Sequence, residues 1–439
     1  MLNPKKNPLI FGTLMLTTSG LLCRGIGFFY RSFISHAFGE ESMGLFQLIS
    51  PVVMLSFSLT CAGMQTAISR YTASLLAQDE KTQAKRYLFT GCFFSFITAL
   101  AYAGIVYGRA EFISSYLLKE ARCASLLRIC AISFPLAALH SCFNGYFYGK
   151  KETKIPSFTQ LIEQCFRVGI VFFLYFYLES MGKKTDIGLA AVGIVVGEAV
   201  SFLISFIAYQ KQDKNFKKSQ KNAGIFTVTK DLFSLCIPLT CNRVIVNLLQ
   251  SFESISLPLC LKQYGYSQQT ALSIYGVFTG MALSLVLFPS AFTNSASVLL
   301  LPMISEAASM ENKKQIDRTI RHSVRFSLLL GFGCTLLFLF LGKPAGNILF
   351  NSSLAGTFIQ TLSFLCPFLY LHTTLTSILN GLKKTGLTLL INISALLIRL
   401  CFTLFVIPKF GISGYLWGLL CSELLSAGFC LWFLKPYFL

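Results

Sequence analysis

Long apolar runs, each sufficient to cross a bilayer, constrain this sequence more than any other feature. The run from Leu88 to Tyr107 contains no charged residue, and about 20 apolar residues in a helix cross the hydrocarbon core. Irregular backbone exposed to lipid would leave peptide groups without hydrogen bonds, so runs of this length form helices. The sequence therefore predicts an all-α polytopic membrane protein with twelve transmembrane helices. The predicted segments are Leu9–Ala37, Met43–Ser69, Leu88–Tyr107, Ala124–Tyr148, Ile155–Leu178, Ile187–Tyr209, Asp231–Leu261, Thr270–Ile304, His322–Leu341, Thr357–Gly381, Leu387–Pro408 and Ile412–Leu434.

Composition and charge exclude several other classes of protein. Only 13% of the residues are charged, about half the share in soluble domains. The net charge of +19 does not indicate a nucleic-acid partner, because the basic residues lie in short clusters between apolar runs. The 15 cysteines contain no CxxC pair, the four histidines lack metal-ligand spacing, and no phosphate-binding glycine loop occurs. We therefore expect no catalytic residues, no metal, no cofactor and no enzymatic activity.

The distribution of lysine and arginine predicts the orientation in the membrane. With the N-terminus placed inside, 22 of the 37 basic residues lie in inner loops and 8 in outer loops. Inner loops of membrane proteins carry such an excess. We therefore expect both the N- and the C-terminus to be cytoplasmic.

The two halves of the chain resemble each other. An offset of 232 residues superposes Arg167 on Arg399, and an offset of 225 superposes Glu198 on Glu423. The change of seven fits a shorter outer loop in the second half. Internal repeats are common in secondary transporters, where the substrate site lies at the repeat interface. We therefore expect two six-helix repeats in parallel orientation.

The repeat also predicts the domain organisation. Residues 1–210 form an N-terminal six-helix lobe, residues 211–226 a basic cytoplasmic linker, and residues 227–439 a C-terminal six-helix lobe. The linker is the longest strongly polar connection. It is expected to be solvated, and it could also contact anionic lipid headgroups.

Polar residues within two predicted helices are candidates for a substrate-binding cavity. Arg24 and Arg31 of the first helix are seven residues apart and share a face. Arg243, Asn247 and Gln250 form a polar stripe on the seventh helix. A charge inside a membrane faces a cavity or a partner, and arginine binds phosphate through its planar fork. The alternatives are a buried ion pair or snorkelling for the first-helix arginines, and hydrogen bonds to neighbouring helices for the stripe.

Other ionisable residues within the predicted helices allow two interpretations. Glu253 lies near the face of the seventh-helix stripe, and it is a candidate for coupling to sodium ions or protons. Five residues of helices five, six, eleven and twelve are predicted to form structural ion pairs within each half. These are Glu163, Arg167, Glu198, Arg399 and Glu423.

Several ordered segments resemble the stage V sporulation protein B family. They include 24–31 (RGIGFFYR), 39–47 (GEESMGLFQ), 144–149 (NGYFYG) and 163–167 (EQCFR). That family belongs to the multidrug/oligosaccharidyl-lipid/polysaccharide exporter superfamily. The resemblance implies a MATE-like fold of two six-helix lobes, alternating access, and flipping of undecaprenyl-linked sugars such as the peptidoglycan precursor lipid II.

The resemblance also implies roles for particular residues. In related lipid II flippases, arginines of the first helix line the central cavity. The resemblance implies the same role for Arg24 and Arg31. It implies this role less strongly for Arg243, because the seventh helix matches the family more weakly. Many members carry two further C-terminal helices that form a groove for the lipid tail. This sequence ends at Leu439 after the twelfth predicted helix, so a tail groove of that kind is not expected.

Together these observations predict a flippase of the bacterial cytoplasmic (inner) membrane. Its substrate would be a lipid-linked oligosaccharide, either a lipid II-like peptidoglycan precursor or a polysaccharide repeat unit. We expect a monomer in contact with membrane lipids, driven by sodium ions, protons or the membrane potential. One alternative is a cation-coupled multidrug or small-molecule exporter of the same superfamily. A further alternative is a scaffold without transport activity that recruits envelope-synthesis partners.

Overall fold

A computed structural model describes residues 8–212, 224–310 and 313–437. The described residues form helices joined by short connections, and none of them lies in a β-strand. Most of the predicted basic linker, at 213–223, lies outside the described residues, as do Lys5 and Lys6.

Eighteen α-helices, numbered in chain order, make up the described chain. They are α1 (Pro8–Phe57), α2 (Gly63–Ala77), α3 (Lys81–Gly108), α4 (Ala110–Phe112), α5 (Cys123–Ala131), α6 (Ser133–Gly149), α7 (Lys154–Ser180), α8 (Gly188–Gln212), α9 (Ile225–Tyr264), α10 (Gln268–Gly276), α11 (Leu283–Leu287), α12 (Ser290–Ser309), α13 (Lys313–Phe350), α14 (Ser353–Leu362), α15 (Cys366–Gly381), α16 (Thr385–Cys401), α17 (Ile407–Phe410) and α18 (Ile412–Leu434). Short π-helical stretches connect several of them, at Ser58–Ala62, Ile113–Leu117, Val277–Ala282 and Phe402–Val406.

Ten of the described helical spans are long and apolar enough to cross a membrane, and the bent pair α5–α6 makes eleven. The first span, Met15–Ala77, contains Gly39 with φ 80° and ψ 177°, a conformation that essentially only glycine adopts. The second predicted segment and most of the first therefore lie in one continuous span, and the first begins within α1 ahead of it. The all-α multi-span fold is confirmed, whereas the cytoplasmic position of the two termini stays a prediction.

Two predicted segments are interrupted at prolines. α5 and α6 meet at an angle of 42° next to Pro135, and α12 begins directly after Pro289. Proline lacks the N–H donor, and its ring clashes with the carbonyl four residues earlier. The apolar pattern continues across both sites, so it predicted single helices there.

The chain divides into two compact units. Unit 1 contains the described residues up to Gly27 together with Leu48–Ser251, and unit 2 contains Phe28–Gln47 together with the residues from Phe252 onward. α1 and α9 each contribute residues to both units. The lobe boundaries at 210 and 227, inferred from the repeat, stay a prediction.

Each unit has its own apolar core. In unit 1, Ile68 of α2, Leu88 of α3 and Phe147 of α6 are fully buried. In unit 2, Leu375 of α15 and Cys430 of α18 are likewise fully buried. These cores fix α6 and α15, the helices that carry the histidines described below.

Glycines allow α6 to approach α2 closely in unit 1. A Cβ atom on Gly145 would lie 2.5 Å from the carbonyl oxygen of Gln65, and one on Gly149 would lie 2.6 Å from that of Ser69. Small residues at a spacing of four permit such backbone contact in membranes.

We expect Gly145→Ala to lower the stability of the protein by about 1–3 kcal/mol, because the added methyl group overlaps backbone that cannot move independently. Gly104→Ala is the matched control, since a Cβ there meets nothing within 4 Å. It should be neutral or slightly stabilising, because alanine is the better helix former. Thermal unfolding of both variants in detergent would measure the difference. Equal midpoints would contradict the close packing of α6 on α2.

Candidate functional site

Four ionisable side chains form a buried cluster in unit 1, which we call the first charge cluster. His140 Nδ1 of α6 lies 3.3 Å from Glu198 Oε2 of α8. Arg167 and Glu163, one helical turn apart on α7, form an ion pair. Each of the four side chains is about one fifth exposed or less.

The close approach of α7 and α8 brings these groups together. A Cβ on Gly193 would lie 2.6 Å from a methyl carbon of Val171, and one on Gly197 would lie 3.3 Å from Glu163. The sequence G-x-x-x-G next to Glu198 therefore permits close contact between α7 and α8. This close contact brings the carboxylates of Glu163 on α7 and Glu198 on α8 into one site.

Two uncharged residues complete the first charge cluster. Asn144 lies one turn after His140 on α6, and its Nδ2 is 2.8 Å from His140 Nε2. Ser201 donates from Oγ to Glu163 Oε2 at 3.4 Å. The Oδ1 atom of Asn144 is buried without a hydrogen-bond partner among the described residues.

A second cluster of the same composition lies in unit 2, and we call it the second charge cluster. His372 Nδ1 of α15 lies 2.9 Å from Glu423 Oε2 of α18. Arg399 Nε of α16 lies 3.3 Å from Glu253 Oε1 of α9. Tyr415 of α18 donates to the same Glu253 oxygen at 2.8 Å.

The two histidines are themselves related by the internal repeat. His140 and His372 differ by 232 positions, the offset that superposes Arg167 on Arg399. Sequence reasoning missed this pair because the histidines were tested only for metal spacing, although the offset would have found it. Tyr415 could not be found in this way, because position 190 at the matching offset is alanine.

The residues predicted as structural ion pairs all occupy these clusters. Glu163 and Arg167 pair with each other, as their spacing of four residues indicated, whereas the other three have partners that the sequence did not indicate. Glu198 and Glu423 each lie beside a histidine. Arg399 pairs with Glu253, because the position that matches Glu163 in the second half is alanine. The carboxylate partner of the second arginine therefore comes from α9, where Glu253 was predicted as an ion-coupling residue.

The two first-helix arginines lie in different units. Arg24 belongs to unit 1, where its side chain is exposed. Arg31 belongs to unit 2, where it is partly buried and donates to the hydroxyl of Ser284. Ser284 in turn donates to the carbonyl of Gly280 at 3.0 Å. The role of both arginines in substrate binding stays a prediction.

The polar stripe of α9 is likewise divided. Arg243, Asn247 and Gln250 belong to unit 1, and Asn247 donates to the hydroxyl of Ser58. Arg243 is exposed, whereas Glu253 is buried in unit 2. Glu253 contacts Arg399 and Tyr415 within unit 2. Arg243, Asn247 and Gln250 of unit 1 remain candidates for binding substrate.

Unit 2 also contains an apolar groove with a volume of about 740 Å³. It lies among α13, α14, α15 and α18, and every lining residue is either apolar or a serine or threonine. The larger side chains include Phe332, Phe364, Phe368 and Trp417. Such a surface suits a hydrocarbon chain and offers no charge to a phosphate.

These features define a multi-pass helical membrane protein with ionisable residues inside its membrane-spanning units. Residues 9–308 match the family model described as polysaccharide biosynthesis protein. The chain belongs to this family. A second model, named MatE, matches residues 244–405.

Individual relatives agree with this assignment. Stage V sporulation protein B of Bacillus subtilis (strain 168) is 28% identical over 417 residues, covering 93% of this chain and 80% of that protein. The predicted resemblance is thereby confirmed. The solved structure of the lipid II flippase MurJ in an inward closed conformation superposes with a TM-score of 0.74 at 14% identity, covering 96% and 87% of the two chains. An inward-facing multidrug resistance MATE family transporter gives a TM-score of 0.73 at 12% identity, covering 97% and 98%. The MATE-like fold is confirmed.

Proposed function

We propose that this protein is a flippase that moves a lipid-linked oligosaccharide across the cytoplasmic membrane by alternating access. The substrate is a lipid II-like peptidoglycan precursor or a polysaccharide repeat unit joined to a polyprenyl chain through pyrophosphate. Membership in the polysaccharide biosynthesis family supports this proposal, as does the similarity to stage V sporulation protein B. The protein then acts as a transporter and not as an enzyme.

The observation that carries the proposal is the exposed Arg243 near the middle of α9. α9 spans 40 residues, and Arg243 lies about halfway along it. An arginine at this depth costs about 2.5–3.5 kcal/mol on insertion scales, so it faces water or an anionic partner. With Arg24, it supplies guanidinium groups that match the pyrophosphate of such a substrate.

The apolar groove of unit 2 supports the lipid part of the proposal. A substrate with a hydrocarbon chain needs an apolar surface as well as cationic groups for its headgroup. The groove offers the apolar surface, and its volume of about 740 Å³ is large enough for several isoprene units. A soluble sugar would have no use for this surface.

Thermal unfolding in the presence of matched ligands tests the proposal. Undecaprenyl pyrophosphate carrying a sugar is expected to raise the unfolding midpoint, because a ligand that binds only the folded state stabilises it. Undecaprenol, which lacks the pyrophosphate, is expected to raise it much less. Equal effects of the two lipids would argue against recognition of the headgroup by arginines.

The match of residues 244–405 to the MatE model favours one second candidate, a cation-coupled exporter of small molecules. In that case Glu253 would bind the coupling ion. Arg399 and Tyr415 already engage this carboxylate, which favours the flippase. Efflux of lipophilic cationic dyes from a sensitised host would separate the two functions, since the flippase is expected to leave dye efflux unchanged.

The remaining parts of the proposal concern energy and assembly. We infer that a sodium or proton gradient or the membrane potential drives the cycle. Both termini lie in the cytoplasm, and the protein works as a monomer surrounded by membrane lipids. The excess of basic residues in the predicted inner loops supports this orientation.

A further inference from the structure

The two charge clusters have the same net charge. Each contains one arginine, two glutamates and one histidine. With a neutral histidine the formal charge of each cluster is −1, and with a protonated histidine it is zero. An uncompensated charge within a membrane protein is costly, so each cluster gains by binding one positive charge.

We propose that the protein contains two proton-binding sites related by the internal repeat, one at His140 and Glu198 in unit 1 and one at His372 and Glu423 in unit 2. This inference goes beyond the proposed flippase function. In each site the proton resides on the imidazole, which then forms a charged pair with the neighbouring carboxylate. The distances of 3.3 Å and 2.9 Å allow this pairing without movement of the helices.

The surroundings of His140 can accommodate both of its charge states. In the present orientation the amide N–H of Asn144 donates to Nε2, which requires that this nitrogen is unprotonated. Rotating the amide by half a turn would turn Oδ1 toward Nε2, where it would accept a hydrogen bond from the protonated ring. Oδ1 is buried without a hydrogen-bond partner among the described residues, so the rotation breaks no bond made by Oδ1.

In unit 2, a ring nitrogen of the histidine is likewise free to take up a proton. His372 Nε2 is buried without a hydrogen-bond partner among the described residues, while Nδ1 is directed at Glu423. A protonated ring needs only the Nδ1 contact to Glu423 to be charge-compensated. Both units therefore combine a histidine that contacts a carboxylate with an arginine that neutralises the other carboxylate.

Among the described residues, the other titratable neighbours of the two clusters do not supply the missing charge. Around the first cluster, besides Glu163 and Arg167 of α7, the neighbouring titratable groups are the thiols of Cys23, Cys61 and Cys130. Thiols are mostly uncharged at pH 7.

Around the second cluster, besides Glu253 of α9 and Arg399 of α16, the titratable neighbours among the side chains that the structure describes are Tyr415, Tyr275 and Cys430. Phenols and thiols are mostly uncharged at pH 7. The charge of −1 in each cluster is therefore left for a proton to compensate.

A metal ion fits the clusters less well than a proton. Ligand atoms of His140, Glu163 and Glu198 lie within 4.8 Å of one another. One of these carboxylates, that of Glu163, already forms an ion pair with Arg167. In the second half, the position that matches Glu163 is Ala395. The arrangement that the repeat retains in both halves is the histidine beside a glutamate.

Potentiometric titration of the purified protein in nanodiscs tests this proposal. Between about pH 8 and pH 5, the range in which histidine changes its charge, Glu198→Gln and Glu423→Gln should each bind about one proton fewer than wild type. The reason is that either substitution makes its cluster neutral without a proton. The double variant should bind about two fewer. Asp317→Asn is the matched control, since Asp317 pairs with the exposed Arg321, and it should bind as many protons as wild type.

A second measurement covers the case in which a glutamine variant does not fold. His36 and His322 are exposed, and the Nδ1 atom of each lies 2.8 Å from a carbonyl oxygen of its own helix. In the variant His36→Gln/His322→Gln, nitrogen-15 magnetic resonance should detect two imidazole rings that gain a proton over the same pH range. Rings that stay neutral throughout, or glutamine variants that bind as many protons as wild type, would overturn the proposal. Neither measurement involves transport, so the result is separate from that of the flippase proposal.

Discussion

Replacing Arg243 by glutamine is expected to reduce the flipping rate of a lipid-linked oligosaccharide by about ten- to a hundredfold in proteoliposomes. The substitution keeps the polar character of the side chain and removes its charge. A hydrogen bond to a charged group contributes about 1.5–3 kcal/mol, and each 1.4 kcal/mol corresponds to a factor of ten in rate. Arg24→Gln should have an effect of similar size, because both arginines are proposed to bind the pyrophosphate.

The control for this prediction is Arg321→Gln. Arg321 is half exposed at the start of α13, where it pairs with Asp317, and its loss removes the same formal charge. This variant should flip substrate at the wild-type rate. If Arg243→Gln and Arg24→Gln also kept that rate, arginine recognition of the headgroup would be wrong.

Replacing Arg399 by glutamine is expected to destabilise the protein strongly. Glu253 is buried, and it would keep Tyr415 but lose its ion-pair partner. Removing one partner of a buried pair costs about 3–5 kcal/mol, because the remaining charge is left uncompensated. Thermal unfolding in detergent should therefore show a large decrease in the midpoint.

The double variant Glu253→Gln/Arg399→Gln distinguishes this cause from a general loss of packing. With both charges removed, most of the stability should return. Arg321→Gln again serves as the exposed control, with an expected loss of at most about 1 kcal/mol. A double variant as unstable as the single one would show that the ion pair is not the origin of the effect.

Much of the fold could be predicted from hydrophobicity alone. Runs of about 20 apolar residues specify membrane helices almost independently of their neighbours, because lipid admits few other structures. The breaks next to Pro135 and Pro289 were missed, since the apolar pattern does not change there and only the backbone is affected. Gly39 similarly marks the kink in α1, which divides the first long span.

The polar sites could be predicted only in part. Periodicity placed Glu163 and Arg167 on one turn of α7, and the structure shows them in contact. The pairing of Arg399 with Glu253 joins α16 to α9, and no local pattern contains information about such a contact. The relation between His140 and His372 was present in the repeat, but it becomes meaningful only when each ring is seen beside its glutamate.

Reconstitution of the wild-type protein into liposomes, with flipping followed by enzymatic labelling of substrate in the outer leaflet, tests the central claim most directly. We predict that undecaprenyl pyrophosphate carrying an oligosaccharide crosses the membrane faster than in protein-free liposomes. A lipophilic cationic dye in the same vesicles should cross at the protein-free rate. Transport of the dye without transport of the lipid-linked sugar would contradict the account and favour the exporter.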